Sequence, residues 1–298
     1  LLTRILSKEV YAQYGMVTTF TTALSTFLYL GQDEAFMRYF ASRKEGYWKY
    51  LARCMCYPLL LCLLTCLFLL EPSKRMVSVV FGEGIATNSC LILCVYLLIL
   101  VIQRFLMVTA RMEERAINYS VSNIATKGVF LVAIVVLYCL MSDISLGWTI
   151  VALTCGVFAA LLINIVAVIG AKHSENPVGV DVSSKEMLRY GLPLALTTSM
   201  GFSIPLIEKL VIRQATNWDV LAVYTAASIF ITVMNMVKTT VSNIWTPYAY
   251  REYQNERKFK DAFFNIGISM TFFVVCILAG TILTRRWLVL ILDRDYAD

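Results

Sequence analysis

Eight stretches of about 20 mainly apolar residues follow one another along this chain, at 12–31, 50–70, 89–110, 118–140, 146–170, 189–213, 220–245 and 262–284. A helix needs about 20 such residues to cross the hydrocarbon of a bilayer, and soluble cores do not call for a series of runs that long. The pattern implies an all-α fold, a polytopic transmembrane helical bundle, because a helix satisfies its backbone hydrogen bonds within one segment while lipid surrounds it. Breaks between runs are marked by Glu71-Pro72, Ser142-Asp143 and Pro247, residues that interrupt or end helices.

Composition excludes a water-soluble reading. The chain is 59% hydrophobic and 15% charged, with a mean hydropathy of +0.70, whereas soluble domains are apolar in roughly half their residues. A formal charge of +6 would suit nucleic acid, but the Lys and Arg residues sit in the short connections between runs, where topology accounts for them and no nucleic acid is implied. Connections that include Arg43, Arg111, Lys172 and Lys258 hold about twice the Lys and Arg of those that include Arg4, Lys74, Arg213 and Arg285, so the first set is expected to be cytoplasmic.

Other function classes find little support. The nine cysteines lie almost entirely inside apolar runs and the one histidine, His173, lies in a polar connection, so neither a metal site, a disulfide framework nor a cofactor is implied. No connection is long enough to fold into an extramembrane catalytic domain. Asp33-Glu34 is the nearest thing to the acidic cluster that a membrane enzyme acting on polyprenyl-linked sugars would need, and no catalytic residue is expected.

The organisation reads as two helical lobes. Residues 1–172 form an N-terminal lobe whose first helix is largely missing, 173–186 a cytoplasmic linker with Pro177 and several charges, and 187–298 the first part of a C-terminal lobe. The opening at Leu1 and the late apolar run Trp287–Leu292 give the expectation of a fragment with about eight complete membrane helices.

Several segments resemble a known family. YAQYG at Tyr11–Gly15, followed after an apolar and hydroxyl-rich stretch by YLGQDEAFMRYF at Tyr29–Phe40, is similar to the opening of oligosaccharide flippases. These are the polysaccharide transporters of the multidrug/oligosaccharidyl-lipid/polysaccharide exporter superfamily. RYGLPLALTTSMGFSIPLIEKLVI at Arg189–Ile212, and the stretch from VLAVYTAAS at Val220–Ser228 to WTPY at Trp245–Tyr248, agree in order. The resemblance implies a two-lobe exporter-type fold with six helices per lobe around a cavity that opens alternately to either side. It implies a substrate, a polyprenyl-diphosphate-linked oligosaccharide, and a bacterial-type inner membrane, with membrane lipids as the other partner and sodium or a proton as coupling cation. Relatives often carry an aspartate where this chain has Glu208-Lys209.

Ionisable groups in lipid-spanning helices cost several kcal/mol unless they face a cavity or a partner. Lys127 and Lys238 are expected to lie at similar depth, one in each lobe, and with Arg38 and Arg104 they are the candidate diphosphate-binding residues. Each has an ordinary alternative: the lysines snorkel to headgroups, Arg104 does the same, and Arg38 pairs with Glu34 one turn earlier. Glu208 is the candidate for the coupling ion; Glu208, Lys209 and Arg213 otherwise anchor the outer interface. Gly191, Pro193, Gly201 and Pro205 are candidate kinks in one helix. The leading expectation is a flippase, followed by a cation-coupled multidrug exporter of the same superfamily.

Overall fold

The computed structural model of the chain describes residues 2–40, 46–70, 80–81, 87–113, 115–141, 144–170, 182–228, 263–277 and 279–280. Among the described residues all regular structure is helical. The helices are α1 (Leu2–Ile5), α2 (Lys8–Leu28), α3 (Gln32–Tyr39), α4 (Tyr47–Leu69), α5 (Thr87–Met112), α6 (Ala116–Leu140), α7 (Leu146–Ile169) and α8 (Ser184–Ala215). Helical stretches at 218–228 and Phe263–Ile277 follow. The chain divides into two compact units, Glu9–Trp218 and Leu1–Lys8 with Asp219–Asp298; the packing and the cavity described below belong to the first.

The chain is thus a polytopic bundle of membrane helices. Among the described residues five helices, α4 to α8, are long and apolar enough to cross a membrane, and the expected count of eight is not confirmed. The run at 12–31 does fold as a helix, α2, but Thr18, Thr19, Thr21, Thr22, Ser25 and Thr26 dilute its apolarity. Each of these hydroxyls donates to a carbonyl three or four residues back, which lets a hydroxyl-rich helix exist away from water. The run at 220–245 is described only as far as 228, and that at 262–284 as a shorter apolar helix, Phe263–Ile277. Lys238, Pro247 and the WTPY segment lie outside the described residues.

One boundary moves for a local reason. α8 begins at Ser184, ahead of the apolar run at 189, because Ser183 accepts from the Glu186 amide and the Glu186 side chain accepts from the Ser183 amide. This capping box satisfies two N-terminal donors and starts the helix before its apolar stretch begins.

The bundle packs around three helix contacts. α7 lies against both α6 and α5, and α4 against α5. Small residues let α6 and α7 approach, with Gly156 against the Thr126 carbonyl and Ser122 donating to the Ala160 carbonyl at 3.4 Å. α3 is wedged among α8, α4 and α5 by Phe36, fully buried beside the rings of Tyr50 at 5.0 Å and Phe105 at 6.3 Å. The Tyr50 hydroxyl donates to the Phe36 carbonyl at 3.0 Å, and Tyr14 of α2 stacks on Phe130 of α6 at 5.6 Å. Arg115 donates to the Ala167 carbonyl in the last turn of α7 at 2.7 Å, a cation at a helix end that has carbonyls to spare.

The outward surface is apolar, as lipid requires. Leu60, Leu64 and Leu67 of α4 and Ile117, Ile124 and Val132 of α6 are all exposed. In water such surfaces would be a liability; in a bilayer they are the ordinary exterior.

Candidate functional site

α2 and α8 run antiparallel. The turn after α2 meets the start of α8, where Gly31 touches Gly191, and the start of α2 meets the end of α8, where Lys209 reaches Gly15. Leu30 and Gly31 form the turn with φ of 51° and 65°. A Cβ added at Gly31 would lie 2.1 Å from the Gly191 carbonyl oxygen, and one at Gly191 would lie 2.6 Å from that of Gly31. Only paired glycines allow the two backbones this close, and Gly31 also supplies a left-handed conformation that L side chains resist.

Beside this contact the helices part around a polar cavity of about 240 Å³. α2 contributes the hydroxyls of Thr22, Ser25 and Thr26; Tyr29 follows it; α3 contributes Asp33 and Glu34, α5 contributes Arg104, and α8 contributes Ala195, Thr198 and Phe202. Thr22, Thr26 and Tyr29 recur at near-helical spacing, which is why one face of α2 lines the space. The glycine contact holds α3 and α8 together at one end, leaving the hydroxyl faces to diverge.

Arg104 and Asp33 are the electrostatic centre. Nε and Nη2 of Arg104 both donate to Oδ2 of Asp33, at 3.0 and 2.8 Å, and the guanidinium lies 5.7 Å from the Tyr29 ring centroid. Asp33 is 5% exposed, while the Arg104 side chain keeps 41% of its surface open. Two of the five guanidinium N–H groups are therefore used and the remaining three are available to an acceptor. Asp33 cancels the net charge of Arg104 without exhausting its donors, and Glu34 adds a second carboxylate to the lining.

The other sequence candidates are placed elsewhere. Lys127 is exposed on α6 and is not part of the cavity lining. Arg38 is exposed at the end of α3 and, rather than pairing with Glu34, lies 4.2 Å from the ring centroid of Tyr190, a cation–π arrangement. Glu208 is exposed on α8 and Lys238 lies outside the described residues. Arg213 packs over Trp218 at 4.7 Å, as an interfacial anchor would. Pro193 and Pro205 sit inside an α8 that runs unbroken from Ser184 to Ala215.

Sequence reasoning missed the partner of Arg104, because a pairing between residues 71 positions apart leaves no trace in local periodicity. It also read Lys209 as an outer-interface anchor, where the structure turns it inward. That side chain is 5% exposed and donates from Nζ to the Gly15 carbonyl at 2.9 Å and to Thr19 Oγ1 at 2.7 Å. The available signal was the hydroxyl spacing of α2, which marks a polar stripe that no lipid face would carry.

Fold and site together define a polytopic membrane protein with a charged, hydroxyl-lined cavity inside its helical bundle. Over residues 1–293 the chain matches the model of the family described as polysaccharide biosynthesis protein, and it belongs to that family. Its role accordingly lies in the biosynthesis or export of polysaccharide. Neither a curated protein nor a solved structure matches the chain.

Proposed function

We propose that the protein is a flippase that carries a polyprenyl-diphosphate-linked oligosaccharide across a bacterial-type inner membrane by alternating access between two helical lobes. No bond is made or broken, so the protein is not an enzyme; selectivity comes from charge and shape inside the bundle. The observation that carries the reading is Arg104, a membrane-embedded guanidinium with three N–H donors to spare at the wall of a polar cavity, in a chain of the polysaccharide biosynthesis family. A cavity of about 240 Å³ is below the size of drug-sized ligand pockets, roughly 300 to 1,000 Å³, and suits the anionic head of such a lipid rather than its whole saccharide. Arg38 at the end of α3 and Lys127 of α6 are further exposed cations of the same unit, outside the cavity lining.

Asp33 and Glu34 at the same cavity favour one second reading, a cation-coupled multidrug exporter, since that chemistry calls for carboxylates inside the membrane. Asp33 is already committed to Arg104, which leaves Glu34 as the cavity's one carboxylate without an ion pair among the described residues; membership of the polysaccharide biosynthesis family is what makes the anion-carrying reading the stronger. Deleting the parent protein and locating the lipid-linked saccharide separates the two. The flippase reading expects accumulation on the cytoplasmic face; normal export with new sensitivity to cationic dyes would replace it with the drug exporter.

A further inference from the structure

Lys209 is the most anomalous charge in the described bundle. It lies six residues from the end of α8, about 9 Å along the axis, within reach of the interface for a side chain that snorkels. It turns inward instead, and its ammonium meets only the neutral oxygens of Gly15 and Thr19. Arg213, one turn nearer the end, does make the interfacial contact, with Trp218. Among the described residues Lys209 forms no ion pair, so nothing offsets its desolvation except two dipoles, an arrangement that costs several kcal/mol and persists in membrane proteins chiefly where the charge is used.

Its position suggests the use. The antiparallel α2–α8 seam has Arg104 and the cavity near one end and Lys209 near the other, with Thr19, Thr22, Ser25 and Thr26 of α2 between them. Thr198, in the cavity wall, and Lys209 are 11 residues apart on α8, about 16 Å. An ammonium held by a carbonyl and a hydroxyl can exchange those acceptors for phosphate oxygens, whereas one locked to a carboxylate would have to break an ion pair first. The third N–H of the ammonium is also unclaimed among the described residues.

We propose that Lys209 is a second station for the phosphate oxygens of the translocated lipid, at the opposite end of the α2–α8 seam from Arg104, so that the anionic head passes from one cation to the other as the seam opens. The proposal rests on the flippase reading and names a residue of that path. Phosphate oxygens could also come from a phospholipid headgroup, and the test separates the two sources.

Full-length protein in phosphatidylcholine nanodiscs is titrated with farnesyl diphosphate and, as an uncharged control, farnesol. The neutral pair D33N/R104Q removes the first station without leaving a lone charge, and K209Q or K209R is added to it. The expected result is residual diphosphate binding in D33N/R104Q that weakens roughly 10- to 100-fold on adding K209Q, the scale of one charge-assisted hydrogen-bonding site, and is retained with K209R. Farnesol affinity stays constant, whereas a merely structural clamp between α2 and α8 would lower both. Loss of all binding in D33N/R104Q alone, or no further effect of K209Q, overturns the second station and leaves the flippase reading intact. Displacement of the Lys209-dependent binding by added phosphatidylglycerol also overturns it, by assigning the site to headgroups. Failure of the unaltered protein to bind farnesyl diphosphate overturns both proposals.

Discussion

At the scale of single residues, the Asp33–Arg104 pair joins two helices through one carboxylate oxygen, and its two members are unequal. Asp33 is almost wholly buried, while Arg104 keeps much of its surface open. Removing one partner strands the other, and a stranded partly buried charge costs more than the pair is worth. Asp33→Asn and Arg104→Gln should each lower stability by about 1 to 3 kcal/mol, with Arg104→Gln the worse because it leaves the more buried charge unpaired. The double variant should be less damaged than the sum of the singles. A double-mutant cycle on thermal unfolding in detergent measures this; strict additivity would mean the two side chains do not interact. In the sequence, Arg104 stood out as a charge in an apolar run and Asp33 as half of an acidic pair, but nothing local linked two residues 71 positions apart. Lys209 was visible as a charge near a helix end, and only the direction of its side chain, set by the carbonyl of Gly15 on another helix, distinguishes it from an anchor.

At the scale of elements, the α2–α3 turn and the start of α8 are fixed by backbone contact rather than by side chains. Gly31→Ala meets both a left-handed backbone, at about 1 to 2 kcal/mol, and a carbonyl 2.1 Å from the new methyl. Gly191→Ala keeps its helical backbone and meets only the clash. Leu30 carries a φ of 51° as a non-glycine residue, so Leu30→Gly should relieve local strain and come out near neutral. Melting temperatures should therefore fall most for Gly31→Ala, less for Gly191→Ala and least for Leu30→Gly; a drop for Leu30→Gly as large as for Gly31→Ala would show that the turn is held by the Leu30 side chain instead. Helix existence in this region was legible from apolar run length, and the limits of α4, α6 and α7 lie within a few residues of the runs that predicted them. α2 was the less obvious case: its hydroxyls lower its hydropathy because they face other helices and a cavity, a property of the assembled bundle. The early start of α8 was written locally, in Ser183 and Glu186, but ahead of the apolar run that drew attention to the helix.

At the scale of the molecule, the direction of the seam depends on which ends of the helices face the cytoplasm. By the excess of Lys and Arg in connections such as that at Arg111–Arg115, the proposed first station, Arg104, eight residues before the end of α5, is expected on the cytoplasmic half and Lys209 on the outer half. A lipid loaded from the cytoplasm would then meet the Arg104–Asp33 cavity first. The orientation can be read from single cysteines in a background with the nine native ones replaced. Ser145, the exposed residue preceding α7, should react as Ser145→Cys with a membrane-impermeant maleimide added to intact cells with a permeabilised outer barrier. Arg111→Cys, exposed in the last turn of α5, and Glu186→Cys, in the first turn of α8, should react only after the membrane itself is opened. The reverse pattern would place Lys209 on the loading side and Arg104 on the release side, and the order of the two stations would have to be exchanged. Labelling of all three positions from outside would mean that the helices between them do not each cross once, and the alternation on which the charge argument rests would fail with it.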